Sequence, residues 1–177
     1  MPRIQPIRRE NTAGQLAVTL DAVKAKVGML PNLLATLANS ETALNAYLSL
    51  SEALAGGRLT AAQREVIALA IGQANKCQYC LSAHTLISKG AGLSEPAIQA
   101  ARAGRGESAL DSALAGLAVK LVNQRGQLSD ADVAGARSAG VDDGLIVEVI
   151  AHVALNTLTN YTNHVAATDI DFPVVPL

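Results

Sequence analysis

Two cysteines, a histidine and a glutamate define the chemistry open to this chain. Cys77 and Cys80 are its only thiols, and they lie in the run Glu65-VIALAIGQANK-Cys77-Gln78-Tyr79-Cys80-LSA-His84. With Cys77 at the start of a helix, both sulfurs fall in the first turn, where unpaired backbone N–H groups and the macrodipole favour a thiolate. The spacing puts the sulfurs on one face, within reach of an intramolecular disulfide. His84 follows Cys80 by one helical turn on the same face, placed to take the thiol proton or to stabilise the thiolate. Glu65 precedes the Asn75-Lys76 interruption by about the distance at which His84 follows it. A chain reversal there brings the carboxylate to His84, as the third group that orients a base. Nucleophile, resolving thiol, base and carboxylate are what a dithiol needs to attack an electrophilic oxygen or sulfur and regenerate through a disulfide.

Spacing alone leaves the attacking thiol open: exposure at a helix start favours Cys77, while the nearness of His84 favours Cys80. The same residues have other readings. The cysteines can be small buried hydrophobes. Cys77, Cys80 and His84 can also be three ligands of a zinc site with Glu65 or His164 as the fourth, although a structural site ordinarily brings a second Cys/His pair at similar spacing. Tyr79, with an unperturbed pKa of about 10, reads as a packing or pocket-lining residue. His152 interrupts an apolar run and reads as a core histidine with satisfied hydrogen bonds.

The elements that must hold these groups are helical. Thr12 with Gln15 has a capping-box pattern opening a helix towards Gly28, Pro31 suits the first turn of a short second helix, and Ser40 caps a third ending at Gly56-Gly57. Thr60 with Gln63 is another capping box, opening a helix over 61–74, with a further segment from Cys77 to Lys89 closed by Gly90. Ser94, Ser108, Ser129 and Asp142 begin the next helices, the last two over 130–138 and 143–158, and a final helical stretch runs over 160–168. No segment alternates with period two, so the expected fold is all-α. No low-complexity linker divides residues 1–177, which are read as one domain. Glu65-Val66-Ile67-Ala68 recurs as Glu148-Val149-Ile150-Ala151. In that register Asn160 stands opposite Cys77 and Asn163 opposite Cys80, as in a structural echo.

Composition narrows the function classes. The chain has 177 residues, 33 of them alanine, only four aromatic side chains, and a net charge of −1. No basic field attracts nucleic acid or anionic lipid. The apolar runs around Val66–Ile71 and Val149–Leu155 are too short or too interrupted to span a membrane. The N-terminal MPRIQPIRREN lacks the apolar region of a secretory signal, and the expected location is the cytoplasm. Charged residues make up 16% of the chain, fewer than in an average soluble domain. That shortage predicts surface buried against other subunits.

The pattern Glu-x11-Cys-x2-Cys-x3-His resembles the active-site signature of the AhpD-like, or carboxymuconolactone decarboxylase-type, superfamily. Asn160-Tyr161-Thr162-Asn163-His164 followed by Asp171-Phe172-Pro173 is similar to its peroxidase-related, alkylhydroperoxidase-like branch. The resemblance runs from about residue 30 to the end. It implies a compact AhpD-like helical fold with the Cys-x-x-Cys at a helix N-terminus, and protomers assembled into trimers, hexamers or related homo-oligomers. It further implies that Cys80 is the peroxidatic thiol that becomes the sulfenic acid, that Cys77 resolves it, and that Glu65 and His84 form a proton relay. No haem, flavin or metal is implied; electrons come from an external dithiol or thioredoxin-like donor. One position departs: Tyr79 stands where the best-characterised members carry a histidine. The lactone decarboxylases of the superfamily lack the cysteine pair. The expected function is thiol-dependent reduction of hydroperoxides. The rivals are a disulfide reductase or redox-sensing dithiol, a zinc-stapled helical oligomer, and a superfamily decarboxylase or isomerase.

Overall fold

The structure, a computed structural model, describes residues 1–177. It contains nine α-helices and no strand: α1 Gly14–Val27, α2 Asn32–Leu37, α3 Glu41–Ala55, α4 Ala61–Ala74, α5 Gln78–Gly90, α6 Glu95–Arg102, α7 Ala109–Asn123, α8 Asp130–Ser138 and α9 Asp143–Ala166. Most begin where the sequence supplies a capping oxygen. Ser40, Ser94, Ser108, Ser129 and Asp142 each accept a backbone N–H from the first turn of their helix. Thr60 and Gln63 form the expected reciprocal capping box.

Two expectations are corrected. Thr12 and Gln15 do not cap α1. Thr12 donates its hydroxyl to the Arg9 carbonyl at 2.8 Å and closes a 3-10 turn at Arg9–Asn11, so α1 begins without a side-chain cap. A local turn has outcompeted the cap for the same hydroxyl. The helices expected over 143–158 and 160–168 are one continuous helix, α9. No Gly or Pro lies between Leu145 and Ala166, and Thr159 turns its hydroxyl back onto the Asn156 carbonyl at 2.9 Å. Nothing there breaks the backbone ladder.

Helix α4 is the central element. Val66 through Gly72 are all buried, and α4 packs against α5, α6, α7 and α9. A helix surrounded on all sides needs apolar residues all round rather than a stripe. One core cluster joins Ile67 and Ile71 to Leu114, Leu117, Val141 and Val149, from α7, the turn after α8, and α9. Another joins Val66, Leu69 and Ala70 to Leu81, Ile98 and Ala115. A third packs α1, α2 and α3 around Cys77, Tyr79 and Cys80.

The α4–α5 connection places the cysteines. Lys76 takes a left-handed conformation (φ 54°) after α4, and the Cys77 N–H returns to the Gly72 carbonyl at 2.9 Å. With the Lys76 N–H on the Gln73 carbonyl at 3.0 Å, the reversal is a Schellman C-cap built on a left-handed lysine instead of a glycine. It makes α5 pack antiparallel to α4, with Cys77 as its N-cap.

Candidate active site

Cys77 and Cys80 are joined as a disulfide, and the Cys77 sulfur accepts the Cys80 backbone N–H at 3.3 Å. Both cysteines are buried, at 2% and 3% exposure, so exposure does not favour Cys77 as the helix position suggested. Access separates them: a cavity of about 420 Å³, walled mostly by apolar side chains, reaches Cys80 and not Cys77.

Helix α9 supplies the partners of Cys80. The side-chain amides of Asn160 and Asn163 donate to the Cys80 sulfur at 2.9 and 3.3 Å. Asn160 is fully buried, and its carbonyl oxygen accepts from the Asn75 amide at 2.9 Å, which fixes the direction of its N–H donors. The internal echo had aligned Asn160 with Cys77 and Asn163 with Cys80. In the structure α9 is not a second copy of the α4–α5 unit, because it has no reversal. The two asparagines instead face the sulfurs as hydrogen-bond donors.

On α5, Cys80, His84 and Ser88 follow one another at single-turn intervals on the side facing α4. Glu65 Oε2 meets His84 Nδ1 at 2.8 Å and accepts a longer bond from the Ser88 hydroxyl at 3.4 Å. Burial pulls the His84 pKa down, but the charge and hydrogen bond of Glu65 outweigh it and hold it above its ordinary value. Glu65, His84 and Cys80 all line the cavity. The hydrogen bond of the imidazole goes to Glu65, and the cysteine sulfurs take theirs from the asparagines and from the Cys80 backbone.

Tyr79 is buried and both packs and lines the cavity. Its hydroxyl accepts the Leu33 N–H at 3.1 Å, and its ring meets Phe172 edge to face, centroids 5.6 Å apart. Burial, offset in part by the Leu33 bond and reinforced by the nearby Asp171, pushes the phenol above its usual pKa. It stays protonated and tied to α2.

Two histidines need separate mention. His164 lies exposed on α9, and nowhere are three His, Cys, Asp or Glu side chains gathered as for a metal ion. His152 is buried at 3% exposure, as expected, but it is not satisfied: its Nε2 has no hydrogen-bond partner. It lines the cavity, where a core histidine with satisfied hydrogen bonds was expected. Burial lowers its pKa, with Glu148 and Glu65 opposing and Arg64 assisting, so the ring is held below its usual value.

The helices and the site together define an AhpD-like fold that carries a disulfide-bonded Cys-x-x-Cys pair. In keeping with that class, residues 41–115, which contain Glu65, Cys77, Cys80 and His84, match the carboxymuconolactone decarboxylase family. The resemblance read from the sequence is therefore borne out. An alkyl hydroperoxide reductase of Mycobacterium tuberculosis is 30% identical over 95 residues, 53% of this chain. The chain spans only 28% of the length of that curated relative. Among solved structures, the alkylhydroperoxidase AhpD core of a peroxidase-related protein from Ralstonia eutropha JMP134 superposes with a TM-score of 0.85 at 22% identity, covering 96% of this chain and 92% of that one. A cysteine-to-alanine variant of the debrominase Bmp8, bound to 2,3,4-tribromopyrrole, gives a TM-score of 0.79 at 18% identity, covering 96% and 91%. Both structures establish likeness of fold.

Proposed function

We propose that this chain is a thiol-dependent peroxidase of the AhpD type that reduces organic hydroperoxides through Cys80. The observation that carries the reading is the surroundings of Cys80: it is the sulfur that meets the cavity, and two oriented amides donate to it. In the dithiol state those donors stabilise a thiolate, since hydrogen bonds to the charged form favour it. The Cys80 thiolate attacks the distal oxygen of R–O–OH, the O–O bond breaks, and the sulfur becomes the sulfenic acid. The departing alkoxide takes a proton from His84, whose pKa the charge and hydrogen bond of Glu65 hold above its ordinary value. The Cys77 thiolate then attacks the Cys80 sulfur, expelling hydroxide that leaves as water after protonation, and the disulfide forms. An external dithiol or thioredoxin-like donor returns two electrons and two protons.

Tyr79 takes no proton in this scheme. Its hydroxyl is committed to Leu33 and it shapes the pocket. The relative named alkyl hydroperoxide reductase supports the reaction class. The bromopyrrole chemistry belongs to Bmp8, with which this chain shares a fold. Two further parts of the reading accompany the peroxidase proposal: assembly as a homo-oligomer, and residence in the cytoplasm, where reducing partners keep a catalytic disulfide transient. No helix is long and apolar enough to cross a membrane.

The test is hydroperoxide consumption with dihydrolipoamide as donor, run in parallel on wild type and Cys80→Ser. Turnover by the wild type and its abolition in Cys80→Ser is the expected result. Equal rates in both, or faster turnover of small and protein disulfides than of hydroperoxides, would replace the peroxidase reading with that of a dithiol reductase.

A further inference from the structure

His152 is the buried titratable group of the cavity that the peroxidase scheme leaves unused. Its ring makes no hydrogen bond within the protein, and its Nε2 is buried without a partner. Orphaned buried polar groups are destabilising and rare, and they persist in folded proteins where function needs them.

The position of His152 gives that need a geometry. On α9, His152, Asn156, Asn160 and Asn163 are all buried and fall on one stripe of the helix. Asn160 and Asn163 hold the Cys80 sulfur. His152 lies two turns before Asn160, about 12 Å along the axis. Helix α4 runs alongside in the same direction, because Leu59 before its start bonds Glu148 and Asn75 at its end bonds Asn160. Arg64, near the start of α4, therefore lies towards the His152 end and is among the lining residues, with its guanidinium held by the Leu59 carbonyl at 2.6 Å. The walls include the apolar Leu34, Ala68, Ala83 and Leu155 beside the polar Glu65, His84, Asn156 and Thr159. The cavity thus has a reactive sulfur at one end and an unpaired imidazole at the other, with mostly apolar walls and the Asn156 amide between them on α9.

We propose that His152 recognises the far end of the substrate, so that the cavity selects organic hydroperoxides with an apolar carbon chain ending in a hydrogen-bonding oxygen. An extended chain of about ten single bonds covers the separation. The terminal oxygen, as a hydroxyl or a carboxylate, pairs with the imidazole, and Arg64 adds to the binding if it is a carboxylate. The inference rests on the peroxidase reading for the identity of the reacting group, but its recognition half stands on the cavity alone.

Three hydroperoxides of one length test it: decyl hydroperoxide, its ω-hydroxy analogue and its ω-carboxy analogue. The wild type is expected to turn over one or both oxygen-ended substrates with kcat/KM about tenfold above the methyl-ended one, the worth of one hydrogen bond to a buried partner. In His152→Leu that preference disappears, and His152→Gln restores part of it. Thermal unfolding of His152→Leu at or above the wild-type midpoint is the companion result, because an unpaired polar group has been removed from the interior; a clear drop would assign His152 to core packing and overturn the proposal. Calorimetric binding of decanediol and decanol separates this inference from the peroxidase reading. If no hydroperoxide is consumed but decanediol binds the wild type about tenfold more tightly than it binds His152→Leu, the recognition site stands without the peroxidase. If the diol binds both proteins alike, or the wild type shows no preference for an oxygen end, the proposal falls.

Discussion

Asn160 and Asn163 donate to Cys80 at 2.9 and 3.3 Å, and Asn75 holds Asn160 in place. A hydrogen bond to a charged group contributes about 1.5–3 kcal/mol, and about 1.4 kcal/mol corresponds to one pKa unit. Replacing Asn160 by Leu should therefore raise the Cys80 thiol pKa by about one to two units, read from the pH dependence of alkylation in the reduced protein. An unchanged profile would show that the amide does not hold a thiolate. The His84–Glu65 pair carries a second prediction. The folded pKa of His84 lies above its ordinary value, so the pair contributes stability that is full below about pH 6.5 and lost as pH rises through the folded pKa. Urea melts of wild type and Glu65→Gln should differ most near pH 6 and converge at alkaline pH; a gap that widens with pH would contradict the assignment. Glu65, Cys77, Cys80 and His84 were legible in the sequence because they sit on two helices joined by one turn, where spacing is geometry. Asn160, Asn163 and His152 come from a helix far along the chain. The first two showed in the sequence only within the Asn160–His164 motif and through the Glu-Val-Ile-Ala echo, whose register paired Asn163 with Cys80, which it does face, but Asn160 with Cys77 instead of Cys80. Nothing in the sequence told a satisfied core histidine from an unpaired one.

At the scale of elements, α4 carries most of the structural burden: it presents Glu65 to the site and supplies residues to two core clusters. Its start depends on the Thr60–Gln63 capping box, so Thr60→Ala should cost about 1 kcal/mol in denaturant unfolding, with an unchanged slope. A loss within error of zero would mean that packing alone holds the helix start. The tail contributes as a strap. Val175 bonds Ser82 and Gln78, Arg102 bonds the Pro176 carbonyl, and the Asp171 carboxylate accepts the Asn32 N–H that opens α2. These contacts anchor the segment that brings Phe172 against Tyr79, and both of these rings line the cavity that Cys80 meets. Cap residues made most helix starts readable, because a capping hydroxyl acts within its own turn. The failures arose where a local rival or an uninterrupted ladder decided the outcome, at Thr12 and at the continuous α9.

Across the whole molecule, α9 leaves an apolar stripe uncovered. Val147, Ile150, Leu158, Tyr161 and Val165 are all exposed, and they recur at intervals of three, eight, three and four residues along one side of the helix. With 16% charged residues, such a face fits burial against a second copy, as the proposed homo-oligomer requires. The paired substitutions Ile150→Lys and Leu158→Lys should shift the sedimentation coefficient of an oligomer to that of a monomer. A wild type that is already monomeric, or a variant that sediments unchanged, would remove this face as the interface. The same stripe was visible in the sequence only as a low charge fraction, since composition does not say which apolar side chains face out.

The central claim is that Cys80 takes the peroxide oxygen and Cys77 resolves it. The most direct measurement adds one equivalent of organic hydroperoxide to reduced Cys77→Ser in the presence of a sulfenic-acid trap, with reduced Cys80→Ser alongside, and locates the adduct by mass spectrometry. The account predicts stoichiometric trapping on Cys80 in the first variant and no peroxide consumption in the second. Trapping on Cys77 in Cys80→Ser, or an unmodified Cys80 in Cys77→Ser, would contradict it.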